Sequence, residues 1–319
     1  MNQTDLNLIN WLLTEGVSID SKPVESLKQW KTILNDLGEK WTRPFQRAVV
    51  GGFLADRTAY AFLTGFRAAL QRLFPLMSPT CMAAFCISEE GGNHPKFIRT
   101  NLERTESSNG KQNNWVLNGN KKFITGATEA DTIFVAASLG FDENGRNDIR
   151  LVKLKSNLEG VVINPMETLP FIPEISHGSV AFENVMVEDQ QILEGDGYLN
   201  YIKPFRYLED VHVSSSVLGF LYRTACLFSW EASIKEKLIS LILLAQGLAE
   251  ASPEQFETHI AFAGFQKQMD RLTDGLDSEL DKTPRDFKAA WIRDRQIFTI
   301  AEKARHKRLE KAWNNFQAR

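Results

Sequence analysis

The chain has 319 residues, of which 43% are hydrophobic and 10% aromatic, so it carries enough apolar material for two or three packed units. Lysine and arginine (37) nearly balance aspartate and glutamate (40), which leaves a net charge of -3. Non-specific binding to nucleic acid requires a basic field that this balance does not supply. We therefore expect no nucleic-acid partner.

Cysteine and histidine give no sign of a metal site. The three cysteines and five histidines lack metal-ligand spacing, and an odd number of cysteines is a poor disulfide framework. The first residues lack the basic start of a secretory signal, and apolar runs such as residues 241–245 are too short to cross a membrane. We expect a cytoplasmic chain with no membrane span and no metal.

The first quarter of the sequence has a helical pattern. Apolar residues recur at helical spacing from residue 4 to about 75, for example at Leu27, Trp30, Leu34 and Leu37. Proline and glycine residues divide this segment into several pieces. The pattern predicts an N-terminal helical domain over residues 1–79.

The character of the sequence changes between about residues 80 and 190. Short β-rich runs alternate with Asn, Gly, Asp and Pro, which predicts a central antiparallel β domain over residues 80–198. Asn118-Gly119 lies between two β-capable stretches and predicts a tight hairpin turn, and the polar stretch from Asn101 to Asn114 predicts a loop or hairpin. The β-rich runs are residues 115–117, 132–137, 149–154, 161–163 and 180–182.

The helical period returns after about residue 200. We predict helices over residues 203–229, 231–250, 253–277 and 284–315, which suit a C-terminal four-helix bundle over residues 199–319. The expected fold class is therefore α+β, with an N-terminal helical segment, a central β domain and a C-terminal helical bundle.

Three segments of the central domain resemble one enzyme family. Residues 83–94 (AAFCISEEGGNH) are similar to a strand ending in Thr-Glu-Pro, and residues 115–127 (WVLNGNKKFITGA) to a Leu-Asn-Gly-x-Lys-x-Trp-Ile-Thr hairpin. Residues 180–187 (VAFENVMV) are similar to a Val-x-Phe-x-x-Val-x-Val-Pro strand. All three belong, in this order, to the middle domain of the acyl-CoA dehydrogenase family. The helical, β, helical order predicted above is also the arrangement of that family.

The resemblance implies a site for FAD. In the family these strands hold the flavin ring with backbone amides and hydroxyls, and a glycine stretch approaches the pantetheine arm of the thioester. Ser88 in place of Thr keeps a hydroxyl and Phe123 in place of Trp keeps an aromatic face, so a planar cofactor ring could still be held. Asn93, in the glycine stretch, is the implied substrate contact. The implied flavin contacts are Phe85, Ile87, Ser88, Phe123 and Thr125.

The reaction of the family needs a base. Desaturation removes a proton next to the thioester carbonyl while a hydride leaves the adjacent carbon for the flavin, and a carboxylate in a dry pocket suits proton removal. Residues 293–302 (RDRQIFTIAE) are similar to the family's Arg-Asp-Ala-Lys-Ile-Tyr-x-Ile-Tyr-Glu, which implies Glu302 as the base. In the isovaleryl and long-chain branch the base lies in the first C-terminal helix, at the position of Glu209. Both alternatives stay open.

Two departures from the family bear on ligand binding. Asp210 stands where an arginine is usual, so the resemblance implies that Asp210 faces a substrate different from the ordinary one. The sequence contains neither an Arg-x-x-Phe-Gly loop nor a Gln-x-x-Gly-Gly-x-Gly segment, which in typical members reach the FAD pyrophosphate and adenosine across a tetramer. We expect a looser flavin site in a homodimer, with Arg223, Arg293 or Arg305 as substitute phosphate contacts.

These features favour an FAD-dependent oxidoreductase that desaturates acyl-CoA or another acyl thioester. They leave the electron acceptor open. The missing segments and Asp210 motivate a different class, a non-catalytic relative that binds a thioester or a protein partner. A third hypothesis is a flavoenzyme of altered chemistry, for example one that acts on a carrier-protein thioester.

Overall fold

The computed structural model describes residues 3–19, 23–105 and 114–317. The chain forms two compact units. The helical unit comprises residues 1–80, 170–174 and 207–319, and the sheet unit comprises residues 81–169 and 175–206. Residues 207–319 of the third predicted domain therefore lie in the same unit as the first predicted domain, 1–79, while residues 199–206 lie in the sheet unit. The division into three domains stays a prediction.

The helical unit contains the predicted helices at both ends of the chain. Trp30, Leu34 and Leu37 are buried along one face of α2, as their spacing predicts. The first helices are α1 (Gln3–Leu13), α2 (Leu27–Lys40), α3 (Pro44–Leu54) and α4 (Thr58–Leu73). After the sheet come α5 (Lys203–Leu227), α6 (Ala232–Glu250), α7 (Phe256–Asp274), α8 (Asp277–Leu280), α9 (Arg285–Asp294), α10 (Ile297–Ile300) and α11 (Glu302–Gln317).

Glycine lets α3 and α5 pack backbone against backbone. A Cβ atom on Gly52 of α3 would lie 1.8 Å from the carbonyl oxygen of Ser216, and one on Gly219 of α5 would lie 2.1 Å from the carbonyl oxygen of Val49. Any side chain at either position would force the two helices apart. This close contact explains why α5 is buried along most of its length from Val211 to Ala225.

The helix predicted over residues 284–315 is wrong as a single element. It is broken into α9, α10 and α11, with interruptions after Asp294 and Ile300. The buried Asp294 carboxylate accepts a hydrogen bond from the Ile172 N–H at 2.7 Å, and the Arg305 guanidinium donates to the Phe298 carbonyl. The Arg305 bond satisfies a carbonyl near the second break, while the Asp294 side chain bonds a distant part of the chain, and the apolar spacing reveals neither contact.

The sheet unit contains seven strands within the described residues. They are β1 (Ala83–Cys86), β2 (Asn101–Arg104), β3 (Asn114–Thr125), β4 (Thr132–Phe141), β5 (Asn147–Lys155), β6 (Val161–Pro165) and β7 (His177–Glu188). The order is β1-β4-β2-β3-β7-β6, and β5 also pairs with β4. Every β-rich run of the sequence lies in one of these strands, which confirms the central β domain and the α+β fold.

Two details differ from the predicted antiparallel hairpins. β1 runs parallel to β4, and β2 meets β4 in parallel at Asn101, so the sheet is mixed. β2 and β3 pair antiparallel, as a hairpin would, while residues 106–113 between them lie outside the described residues. The hairpin turn predicted at Asn118-Gly119 is wrong, since both residues lie inside the single strand β3 at an irregularity in its pairing with β7.

Close packing explains the glycine inside β3. Gly119 has φ 144°, and a Cβ atom there would lie 2.5 Å from the Cα atom of Thr100. The Asn-Gly pair therefore serves a bulge and a close backbone approach instead of a turn.

Within the described residues, every helix is too short or too polar to span a membrane.

Candidate functional site

A strained bulge in β3 carries one of the implied flavin contacts. The pairing of β3 with β7 shifts between Lys121 and Ile124, so that Lys122 and Phe123 form an irregular segment. Phe123 has φ 60°, which is unusual for an aromatic residue, and 53% of its surface is exposed. Such strain persists when the surroundings hold it, and it concentrates at ligand sites. The bulge presents an aromatic face to solvent.

The segment after β1 approaches this bulge. The Lys122 N–H donates to the Ser88 carbonyl at 2.9 Å, which places Ser88 beside the bulge that carries Phe123. Ile87 and Ser88 are both half-buried. Within the part of the chain that the structure describes, the Ser88 N–H and hydroxyl have no hydrogen-bond partner. Ser88 therefore has donors and Phe123 has a ring surface available to a ligand at the same place.

Thr125, two residues further along β3, contacts a histidine that the resemblance did not indicate. Its hydroxyl lies 3.3 Å from Nε2 of His177, the residue opposite it in β7, and Nδ1 of His177 lies 3.3 Å from the Ile175 carbonyl oxygen. Burial lowers the pKa of His177. With Nδ1 protonated towards Ile175, the neutral ring accepts from the Thr125 hydroxyl and fixes its orientation.

The structure places the other two sheet-unit candidates differently. Phe85 is 6% exposed and packs edge to face on Phe205, with 4.8 Å between ring centroids. It therefore belongs to the packing behind the surface, and Ile87 is the more accessible of the two apolar candidates. Asn93 is exposed, and its carbonyl and side-chain oxygens accept from Arg206 at 3.1 and 3.4 Å.

A buried ion pair adjoins the Ser88 segment and was missed in the sequence. The Lys121 ammonium lies 2.7 Å from the Glu89 carboxylate, and the two side chains are 0% and 9% exposed. Burial alone would raise the pKa of Glu89, but the Lys121 charge and N–H donors bring it below its ordinary value, while burial lowers the pKa of Lys121. The available signal was the two glutamates of the first matched motif and the two lysines of the second, and the motifs do not indicate which of them are buried together.

The carboxylate candidates lie in the helical unit. Asp210 is buried on α5, where its carboxylate accepts from Arg305 at 3.1 Å and also bonds with Arg308. Burial raises the pKa of Asp210, while the two guanidinium groups act in the opposite direction. Its charge is thus compensated inside the chain.

Glu209 and Glu302 differ in exposure. Glu209 is half-buried on α5, and Glu302 is exposed in the first turn of α11. Glu302 lines a cavity of about 600 Å³ between α7 and the last helices, together with the arginines Arg305 and Arg308 that hold Asp210. Asp210 and Glu302 are therefore brought to one neighbourhood of the helical unit.

The three candidate phosphate-binding arginines all have partners within the chain. Arg223 is buried, donates to the Gly16 carbonyl at 3.0 Å and also bonds the Ile19 carbonyl. Arg293 pairs with Asp294 at 2.6 Å, and Arg305 pairs with Asp210 as described above. Binding a phosphate at any of the three would compete with a bond that the fold already makes.

Among the described residues no cluster of side chains could hold a metal ion.

One protein-family profile matches the central part of the chain. The protein-family profile described as acyl-CoA dehydrogenase, middle domain, matches residues 84–185. Among curated protein sequences none matches the chain. The match therefore covers Ser88, which follows β1, and the strand that carries Phe123 and Thr125.

Solved structures match along nearly the whole length. Butyryl-CoA dehydrogenase from Megasphaera elsdenii is 15% identical with a TM-score of 0.71, and the match covers 98% of each chain. Glutaryl-CoA dehydrogenase from Mycobacterium smegmatis is 14% identical with a TM-score of 0.71, covering 99% of this chain and 95% of the other. A second structure of that enzyme contains FADH2, with 12% identity, a TM-score of 0.65 and the same coverage of the two chains.

A prolyl acyl carrier protein oxidase is also similar, at 12% identity and a TM-score of 0.57, covering 98% of this chain and 94% of the other. Identities this low establish the fold and leave the reaction open. Residues 84–185 thus match the acyl-CoA dehydrogenase middle domain, and the chain that carries them has the fold of the acyl-CoA dehydrogenases.

Proposed function

We propose that the protein is an FAD-dependent oxidoreductase that desaturates an acyl thioester. One observation carries the proposal: the Ser88 N–H and hydroxyl, which have no hydrogen-bond partner among the described residues, lie beside a strained, exposed Phe123 ring. A flavin presents a flat aromatic surface and a polar edge, and the exposed ring and the free donors match these two features. When bound, FAD would supply the acceptor for the hydride.

The residues that would hold the flavin are Ile87, Ser88, Phe123 and Thr125. Ser88 would donate to the ring edge from its N–H and hydroxyl, and Phe123 would supply the apolar face. Thr125 would offer a hydroxyl whose direction is set by His177 at 3.3 Å. Phe85 would support the segment from behind because it is buried.

We propose Glu209 as the base that removes the substrate proton. A general base works best where bulk water is kept from the reacting atoms, and Glu209 is half-buried while Glu302 is exposed. Asp210 is the poorer choice because Arg305 and Arg308 already bond both of its oxygens. Asn93 and Asp210 would contribute to the substrate site without acting as the base.

Anaerobic titration of the FAD-loaded protein with straight-chain, branched and dicarboxylic acyl-CoA esters tests the proposal. Bleaching of the flavin absorbance by at least one ester is expected. Glu209→Gln should abolish the bleaching and leave FAD binding unchanged, whereas Glu302→Gln should retain most of it. Loss of bleaching in Glu302→Gln alone would assign the base to Glu302, and a fully loaded protein that no thioester reduces would refute the dehydrogenase assignment.

A non-catalytic scaffold is the second candidate, and one observation favours it. Arg223, Arg293 and Arg305 are all engaged within the chain, so the phosphates of FAD lack an evident partner among them. This candidate predicts a protein that binds an acyl-CoA ester without binding FAD. Isothermal titration with each ligand separately distinguishes the two candidates.

A further inference from the structure

The buried pair Glu89–Lys121 is more extensively bonded than a simple ion pair. One Glu89 carboxylate oxygen accepts from the Thr100 N–H at 3.0 Å and the Thr100 hydroxyl at 2.9 Å, and the other accepts from the Arg99 N–H at 2.8 Å. The Lys121 ammonium completes the set at 2.7 Å. With donors on both oxygens, Glu89 has little freedom to move, and it fixes the ammonium group in turn.

Lys121 also holds the segment that carries the ligand donors. Its ammonium donates to the Ile87 carbonyl at 3.3 Å, and the next residue, Lys122, donates its N–H to the Ser88 carbonyl at 2.9 Å. Two successive carbonyls after β1 are thus bonded by two successive residues of β3. Because Ile87 and Ser88 lie beyond the last residue of β1, these bonds replace the regular strand pairing there.

The geometry of the peptide bond transmits this contact to Ser88. The Ile87 carbonyl and the Ser88 N–H belong to one peptide plane, and in a trans peptide they point in opposite directions. Lys121, by holding the carbonyl, therefore sets the direction of the Ser88 N–H, which has no partner of its own in the described chain. A donor held in advance loses less entropy when a ligand binds.

Stability alone does not require this pair. A buried ion pair stabilises a fold little more than apolar residues of the same volume would, because both charges lose their hydration. The neighbouring pair Lys122–Glu90, also 2.7 Å apart, is exposed, with 84% of the Glu90 side chain accessible. The fold thus offers a buried and an exposed pair, one residue apart in both segments, for direct comparison.

We propose that Glu89 and Lys121 are positioning residues that orient the Ile87–Ser88 peptide towards the edge of the bound flavin. The proposal rests on the proposed function in so far as the ligand is FAD. The pair makes no contact with substrate in this role, and it acts through the Ser88 N–H.

The test compares Glu89→Gln/Lys121→Met, which removes both charges with little change of volume, with the control Glu90→Gln at the exposed pair. We expect FAD to bind about tenfold more weakly to the double variant, as for the loss of one hydrogen bond. In the FAD-free protein, NMR should show the Lys122 amide exchanging at least about tenfold faster, since the Ser88 carbonyl is no longer held. The amides of β3 that pair with β7 and the control variant should behave as in the wild type.

Two results would overturn the proposal. One is FAD affinity and Lys122 exchange equal to those of the control. The other is weakened FAD binding with Lys122 exchange unchanged, because the effect would then not pass through the Ser88 segment. If the wild type binds no FAD, the proposed function fails, and Lys122 exchange alone decides the positioning role. If the double variant does not fold, Glu89→Gln takes its place, since it keeps an oxygen for Arg99 and Thr100.

Discussion

Acid should destabilise this protein through His212, which is completely buried in α5. Nδ1 of His212 lies 2.8 Å from the Leu208 carbonyl oxygen, and Nε2 has no hydrogen-bond partner in the described chain. Burial lowers the pKa of His212 from 6.5 to about 4, although the Leu208 carbonyl acts in the opposite direction, and the nearby Arg72 lowers it further. The folded protein therefore resists protonation of this ring.

The magnitude follows from the difference between the folded and unfolded states. Below pH 6.5 the unfolded chain binds a proton that the folded chain does not bind until the pH approaches about 4, so the free energy of unfolding decreases as the pH falls. The loss amounts to roughly 2 kcal/mol at pH 5 and roughly 3 kcal/mol in full, at about 1.4 kcal/mol for each pH unit. Above pH 6.5 the contribution of His212 to pH dependence disappears.

Urea denaturation of the wild type and His212→Leu between pH 4 and pH 7.5 measures the contribution of His212 to the free energy of unfolding. The substitution removes the unpartnered Nε2 and keeps an apolar side chain, so we expect stability near that of the wild type at pH 7 and a flatter decline towards pH 4. His94→Leu, at an exposed position, should follow the wild-type profile. If His212→Leu loses stability with acid as steeply as the wild type, the assignment of this effect to His212 is refuted.

Phe123→Gly should raise the free energy of unfolding of the FAD-free protein by up to about 1 kcal/mol, measured by denaturation, because glycine tolerates the positive φ. The same substitution should weaken FAD binding more than tenfold in a fluorescence titration. Unchanged FAD affinity would contradict the role of the Phe123 ring. Gly52→Ala should cost more than about 3 kcal/mol, because its Cβ would lie 1.8 Å from the Ser216 carbonyl oxygen, whereas Gly247→Ala in open space on α6 should stabilise by about 0.5 kcal/mol. Similar melting temperatures for the two alanine variants would contradict the close packing of α3 on α5.

The order of helices and strands could be predicted because it depends on local patterns. Apolar residues three and four apart, as at Trp30 and Leu34, indicate a helix face, and β-branched runs such as residues 149–154 indicate a strand. The motifs around Ser88 and Phe123 also lie within continuous segments. The sequence therefore places the candidate flavin contacts in or next to two predicted β segments, and their role in binding flavin stays a prediction.

Features decided by distant partners could not be predicted. Asn118-Gly119 has the composition of a turn, and only the approach of Thr100 shows why Gly119 lies within a strand. α9 ends at Asp294, whose buried carboxylate bonds Ile172, a residue distant in the sequence. Glu89 and Lys121 are charged residues that would ordinarily face solvent, and no local pattern indicates that two charges 32 residues apart are buried together.

The choice of the catalytic base also depends on packing between distant parts of the chain. The resemblance implies Glu209 and Glu302 as alternative bases, and the sequence alone leaves the choice between them open. The structure separates them by burial, since α5 is enclosed by other helices while the first turn of α11 is exposed. Burial is a property of the assembled unit, so motif similarity does not contain it.

The visible absorption spectrum of the purified protein tests the central claim most directly. It should be recorded before and after incubation with excess FAD, followed by removal of the unbound cofactor. We predict the absorption bands of oxidised flavin retained with the protein, at close to one FAD for each chain, and their loss in Phe123→Gly. A colourless protein that retains no FAD after incubation would contradict the account and favour a scaffold without cofactor.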